Sequence, residues 1–375
     1  MKRRILVIGA GPGGIAAARR LRDRAGDRLE VVLIEREGTA EFLPGTIATV
    51  LGEAPAAHWR APLRLRGIEV QQGEVQQVTG QGVVLADGRA LEADAVIAAP
   101  GLHLNLAAVP ARPNVFAFWS PTTAEGAHDT VARLQRGRLV VVISGLPYRC
   151  PPAPYGLAMQ LAAFYRHHRR DVHLTLTTPE EAPLASLGHG IPEFLLRSCA
   201  EAGVEVQLGR RPDWSAASDR ELVFTDGSRL AFDLALVVPP HGRAPMLAAL
   251  PDEGVLVSVD ERLETAEPGL FVVGDATRTP LPRAAGVATA QGQTAADAVL
   301  DRLGLARFEG PHLPEPECYI GHGDGRYSRI TIRFPEGLPP AGQPEVRLEG
   351  PSPELAAGFA RVFDTWRALR TENGR

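Results

Sequence analysis

The chain has 375 residues, 45% of them apolar, which is enough for two or three domains, each with its own core. Its 40 basic and 44 acidic side chains leave a formal charge of -4 with the two signs intermixed, which argues against a nucleic-acid footprint; Lys2, at a frayed terminus, is the single lysine available for Schiff-base chemistry. No run of about 18 apolar residues exists to span a membrane, and three cysteines (Cys150, Cys199, Cys318) argue against a disulfide scaffold.

Lys2-Arg3-Arg4 passes directly into Ile5-Leu6-Val7-Ile8, and glycines follow where a signal peptide would continue its apolar stretch, so a cytoplasmic protein is expected. Arg4 to Ile8 reads as a strand, Gly9-Ala10-Gly11-Pro12-Gly13-Gly14 as a turn, and Ile15 to Arg24 as a helix by its apolar spacing. This is G-x-G-x-x-G in context. Gly9 permits the tight turn, Gly11 lets a pyrophosphate approach the backbone, and Gly14 allows close helix–strand packing, while the helix N-terminus offers donors and partial positive charge. A second strand, Leu29 to Ile34, ends in Glu35, whose carboxylate is placed to accept the ribose hydroxyls of an adenosine and would repel a 2′-phosphate. Strand, turn, helix, strand and terminal acid together favour a bound dinucleotide over a purely structural glycine turn.

The middle of the chain repeats the pattern with a change. Thr122-x-x-Glu125 reads as a capping box opening a helix to about Gln135, and Leu139 to Ile143 as a buried strand. Ser144-Gly145-Leu146-Pro147-Tyr148-Arg149-Cys150-Pro151-Pro152-Ala153-Pro154-Tyr155 follows, then a helix to about His168. One glycine stands where three are wanted, and the prolines remove backbone donors, so a pyrophosphate would not be cradled there. Cys150 lies just ahead of the helix beside Arg149, and both favour the nucleophilic thiolate; the alternative is a buried, inert thiol.

Further along, His167-His168-Arg169-Arg170 reads as a solvated helix end rather than a metal site, and Cys199 as a small core residue on the apolar side of a helix from Ile191 to Ala202. His241 follows the strand Leu234 to Val238, at the end where α/β folds build sites, and either lines an acceptor pocket or serves the loop. Gly269 to Val273 reads as a buried strand ending in Gly274-Asp275, with a helix from about Ala285 to Leu303. These residues resemble the two-dinucleotide-domain flavoprotein superfamily. The resemblance implies FAD, with Asp275 against the ribityl chain and the late helix aiming its N-terminus at the flavin's pyrimidine edge.

A narrower resemblance rests on four segments. Arg149-Cys150-Pro151-Pro152-Ala153-Pro154-Tyr155 and Glu317-Cys318-Tyr319-Ile320-x-x-Gly323-Asp324-Gly325 are similar to the two core cysteine segments of the sulfide:quinone oxidoreductases and of the flavoprotein subunit of flavocytochrome c sulfide dehydrogenase. Pro239-Pro240-His241-Gly242-Arg243-Ala244-Pro245 resembles the family's PPH-R-P stretch, and Glu41-Phe42-Leu43-Pro44 its segment near the flavin ring. The resemblance implies that Cys150 and Cys318 form a disulfide or polysulfide bridge against the isoalloxazine. Hydrosulfide would attack one sulfur of the bridge, giving a persulfide and a free thiolate. Two electrons would pass to FAD, held by Gly9, Gly11, Gly14, Glu35, Pro44, Gly274 and Asp275, and on to quinone or a cytochrome.

The sequence departs from that pattern at three places. Quinone-reducing members carry another cysteine about 30 residues ahead of the first core one, where this chain has Phe116-Ala117-Phe118-Trp119-Ser120. Arg283 replaces the usual lysine, and Gly321-His322 replaces a Glu-Phe pair; His322 is either a proton acceptor for sulfide or an ordinary hairpin residue. A C-terminal helix is expected from Ser352 as N-cap and Pro353 at N1 to about Arg370. Its stripe of Leu355, Phe359, Val362, Phe363, Trp366 and Leu369 either packs on its own domain or makes a peripheral membrane contact near quinone.

The expected architecture is α/β: two Rossmann-like domains of the glutathione-reductase type with a small C-terminal β-hairpin plus helix. Residues 1–105 and 246–310 form a discontinuous FAD domain, 106–245 a second Rossmann-like domain, and 311–375 a cysteine-bearing tail. Homo-oligomerisation is left open, and so are three other functions: a NAD(P)H-dependent disulfide or quinone reductase, a flavocytochrome-like subunit with a haem partner, and a non-catalytic flavin redox sensor.

Overall fold

A computed structural model describes residues 2–188 and 190–371. Two five-stranded parallel sheets organise it. The first runs, in spatial order, Leu270–Val272, Ala95–Ala98, Arg3–Ile8, Leu29–Glu35 and Glu69–Gln72. Its central strand is apolar at successive positions because both faces are covered: Ile5 and Val7 enter one core and Leu6 and Ile8 the other. The strand Leu270–Val272 joins this sheet from late in the chain, pairing with Ala95–Ala98, so the chain returns to its first sheet after building the second.

The second sheet runs Val115–Ala117, Leu234–Val238, Arg136–Ile143, Asp171–Thr177 and Val204–Gln207. Leu139, Val141 and Ile143 face one core and Val140 and Val142 the other. Cys199, on the helix Ile191–Ala202, is fully buried.

The helix Pro12–Ala25 follows the glycine turn and packs against the late helix Ala285–Arg302. They approach so closely that a Cβ on Gly292 would lie 2.1 Å from the carbonyl oxygen of Gly13. Arg20 then locks the pair through two hydrogen bonds to Asp297, at 2.7 and 2.6 Å, and His312 adds a contact to the same carboxylate at 2.8 Å.

The tail differs from a hairpin: Glu317–Gly323, Arg326–Arg333 and Glu345–Ser352 form a three-stranded antiparallel sheet. It lies on the helix Ala153–His167, where Gly156 leaves room for Ile320 and a Cβ on Gly323 would come within 2.2 Å of the Ala163 side chain.

Three local expectations are corrected. The capping box belongs to Ser120, not Thr122: Ser120 exchanges hydrogen bonds with Thr123, with Pro121 as the first helical residue. Two short helices, Pro121–Ala124 and Ala127–Arg133, replace the single one to Gln135. Thr122 instead binds the Glu41 carboxylate through its N–H and hydroxyl. Ser352 precedes a 3-10 turn, Pro353–Leu355, without a side-chain cap, and the C-terminal α-helix proper is Ala356–Ala368. Its aromatic stripe packs on the first domain, Phe359, Phe363 and Trp366 surrounding Phe42 with ring centroids 5.0 to 6.3 Å away. Trp366 is buried by that packing, while Phe359, Val362 and Phe363 stay half-buried and Leu369 exposed. Among the described residues no helix is long and apolar enough to cross a membrane.

Candidate active site

A cleft of about 1700 Å³ opens between the two sheets, the tail and the C-terminal helix. Gly9, Gly11, Glu35, Pro44, Cys150, Gly274, Asp275, Arg283 and Cys318 all line it. His241 and His322 do not. Gly14 lies behind the turn, where a Cβ would meet the Gly9 carbonyl oxygen at 1.9 Å.

The first part of the cleft is a phosphate cradle. Gly9 has a φ of 92° and a Cβ there would meet the Ala99 carbonyl at 2.5 Å, so only glycine makes this turn. A Cβ on Gly11, by contrast, would meet nothing within 4 Å, which is the open approach a pyrophosphate needs. The first-turn N–H groups of the helix Pro12–Ala25 have no intrahelical acceptors and favour an anion. Glu35 stands at the end of its strand, accepting from the N–H of Ala10 at 2.7 Å and of Arg36 at 2.9 Å. These residues fit FAD on steric and electrostatic grounds.

In the second sheet the equivalent positions are filled by the protein itself. The Ser144 N–H bonds to Val238, and the Ser144 hydroxyl accepts from the Trp214 indole at 3.3 Å. The N–H groups of Ala153 and Gly156 bond to the Cys150 and Pro152 carbonyls. Glu180, just beyond the strand Asp171–Thr177 where a ribose-binding acid would stand, accepts from the hydroxyls of Tyr148, Tyr155 and Thr178 at 3.0, 2.7 and 3.0 Å. These contacts engage one oxygen of the Glu180 carboxylate and the N–H groups of Ser144, Ala153 and Gly156.

Cys150 sits on this turn with a φ of 55°, a left-handed conformation that strains a non-glycine residue. Contacts on both sides hold it there. Tyr148 ties the turn to Glu180 and to the Pro151 carbonyl, and the Trp119 indole N–H donates to the Arg149 carbonyl at 2.9 Å while the Arg149 guanidinium donates to the Trp119 carbonyl. The helix beginning at Ala153 carries the close contacts to the strand Glu317–Gly323 and so brings Cys318 into the same cleft. Both thiols are free.

The electrostatics correct the thiolate expectation. Protein surrounds Cys150 even though its sulfur opens onto the cleft. That burial, with the Asp275 carboxylate, pushes its thiol up to about 11 against the opposing pull of Arg149 and the Ala153 N–H. Burial, Cys150 and Glu317 push Cys318 up to about 12. Burial also raises Asp275, although Arg149 and Arg283 pull it down. The helix terminus and one arginine therefore do not outweigh desolvation.

The two histidines are buried away from the cleft. His322 is buried against Phe194 with its Nε2 2.9 Å from the Ser328 hydroxyl, and burial lowers it to about 4. His241 contacts the Pro239 carbonyl through Nδ1 at 2.9 Å and is likewise lowered to about 4, by burial and Arg149.

Sequence reasoning missed Trp119, Glu180, Tyr148 and Arg370. Only Glu180 carried a signal, being an acid after the second strand of its unit as Glu35 is in the first.

Fold and cleft define a two-domain, FAD-dependent oxidoreductase. A family model described as pyridine nucleotide-disulphide oxidoreductase matches residues 3–292, and the chain belongs to that family. Among its relatives, the ferredoxin reductase component of chlorobenzene dioxygenase from Cupriavidus sp. (strain PS12) is 29% identical over 300 residues, covering 75% of this chain and 68% of the relative. Human apoptosis-inducing factor 3 is 26% identical over 297 residues, covering 74% of this chain but only 46% of its own length. Among solved structures, the sulfide:quinone oxidoreductase of Aquifex aeolicus superposes with a TM-score of 0.80 at 17% identity over 98% of this chain and 92% of that one. The ferredoxin reductase of the CYP199A2 system from Rhodopseudomonas palustris gives 0.67 at 20% identity over 89% and 83%. At these identities the structural likeness is one of fold.

Proposed function

We propose that this protein oxidises sulfide or a related sulfur compound at the Cys150/Cys318 pair and passes the electrons through FAD to quinone or another acceptor. The observation that carries the reading is the convergence of both cysteines on the cleft that holds the phosphate cradle, with the second sheet's nucleotide positions filled by Tyr148, Tyr155 and Glu180. FAD bound along Gly9, Gly11, Glu35, Pro44, Gly274 and Asp275 would supply a two-electron acceptor. Hydrosulfide attacks one sulfur of the oxidised pair, the S–S bond breaks, and the other cysteine leaves as a thiolate. The step starts from the oxidised pair, in which neither sulfur is a nucleophile, so the attacking group is the substrate. Arg149, buried beside Cys150, is the cation placed to stabilise the sulfur that leaves.

A second reading, an NAD(P)H-dependent reductase serving a ferredoxin, is favoured by the relatives whose names carry ferredoxin reductase. Anaerobic rapid mixing separates the two. The holoprotein is mixed with sulfide and, separately, with NADH and NADPH, and the oxidised flavin absorbance is followed. Fast bleaching by sulfide with slow or absent bleaching by the nicotinamides supports the first; the reverse order replaces it with the second.

A further inference from the structure

Arg370, two residues beyond the C-terminal helix, has only 2% of its surface exposed. Its guanidinium donates to the Trp366 carbonyl at 2.9 Å and to the Ala10 carbonyl of the glycine turn at 3.2 Å, and its carbon Cζ lies 4.7 Å from the centre of the Trp366 ring. Its Nε is buried with no acceptor, and among the described residues no carboxylate pairs with it. Desolvation alone lowers its proton affinity, to about 9, which is the signature of a buried cation lacking its counter-charge. An isolated buried charge is expensive to maintain unless something neutralises it. The same side chain lines the cleft together with Gly11 and the start of the helix Pro12–Ala25, where a dianionic group is to be held.

The segment that carries Arg370 is anchored to the first domain. Arg19 donates to the Leu369 carbonyl at 3.2 Å, and the Arg64 N–H donates to the Arg370 carbonyl at 2.8 Å. The aromatic stripe of the helix is packed around Phe42, next to Leu43 and Pro44 of the cleft wall. The C-terminal segment therefore delivers one buried cation to the glycine turn.

We propose that Arg370 binds the pyrophosphate of FAD, so that the C-terminal helix is a clamp on the cofactor. The inference rests on FAD alone and is independent of the sulfur chemistry. A guanidinium binds phosphate oxygens through paired, charge-assisted hydrogen bonds, and its two terminal nitrogens, each with one N–H spent on the Trp366 or Ala10 carbonyl, keep a second N–H for that contact.

The test uses FAD titration of the apoprotein, followed by quenching of flavin fluorescence, for the wild type, Arg370→Met and Arg370→Lys. Arg370→Met is expected to weaken FAD roughly 10- to 100-fold, with Arg370→Lys in between. The apoprotein of Arg370→Met should melt no lower than the wild type, because the uncompensated charge is gone. A readout on the unmutated chain keeps the proposal testable if the variants do not fold: ADP, which carries the pyrophosphate, should protect the Arg370–Thr371 bond from trypsin, and adenosine should not. FAD affinity within about threefold of wild type in Arg370→Met, or equal protection by adenosine and ADP, would make Arg370 a packing residue and overturn the proposal.

Discussion

Trp119 and Arg149 hydrogen-bond each other twice, the indole N–H to the Arg149 carbonyl at 2.9 Å and the guanidinium back to the Trp119 carbonyl. Trp119 occupies the stretch where quinone-reducing relatives are expected to carry a further cysteine, and here that stretch holds the Cys150 turn in place instead. Trp119→Phe keeps the ring and removes one donor. It should lower stability by about 1 kcal/mol and slow flavin reduction by sulfide several-fold, because the turn beside the strained Cys150 loses one of the two hydrogen bonds between Trp119 and Arg149. Equal reduction rates in the variant and the wild type would dissociate the Trp119 contact from the chemistry.

The proton affinities of the two thiols set the reactivity of the reduced protein. With Cys150 near 11 and Cys318 near 12, alkylation by iodoacetamide should be slow at pH 7 and climb about tenfold per pH unit to pH 10, Cys150 leading. Mass spectrometry of the modified peptides gives the order. A rate that levels off near pH 7 or 8 would mean that Arg149 and the helix outweigh burial after all.

Gly292 is where two helices touch most closely. Gly292→Ala would drive a methyl group into the carbonyl of Gly13, on the cofactor turn itself, and should cost about 3 kcal/mol with a lower flavin content after purification. A full flavin complement and an unshifted melting temperature would show that the helices part without disturbing the cradle.

Buried His322 gives stability a defined pH dependence. Its folded value near 4 lies below its ordinary 6.5, so the unfolded chain binds the extra proton between those limits and stability falls as pH drops from about 6.5 to 4. The melting temperature should fall by a few degrees over this window, and His322→Phe should make the slope shallower, with the remainder carried by His241, which is lowered to about 4 as well. An unchanged slope in that variant would assign the acid sensitivity to other groups.

What the sequence disclosed was local. The turn from Gly9 to Gly14, the acid Glu35, the Gly274-Asp275 corner, the strand Leu234–Val238 and the helix Ile191–Ala202 all follow from glycine chemistry and hydrophobic period within short windows. Thr122 was misread although the rule was available: a proline at the first helical position makes the preceding Ser120 the cap. Trp119 and Arg370 were not legible, because each acts on residues far along the chain and nothing at their own positions marks the partner; Glu180 carried its position after a strand as a signal, but not its tyrosine partners. The Cys150 thiol was misjudged for a related reason, since its neighbours in sequence favour the thiolate and its neighbours in space, including Asp275, oppose it.

Anaerobic titration of the holoprotein with sulfide, repeated with Cys150→Ser and Cys318→Ser, separates a sulfur-transferring cysteine pair from any other route of electrons into the flavin. The account predicts bleaching of the oxidised flavin by stoichiometric sulfide in the wild type and none in either variant, with both variants retaining FAD. Equal bleaching in the variants, or none in the wild type, would contradict a sulfur-transferring cysteine pair and leave the flavoprotein with another electron donor.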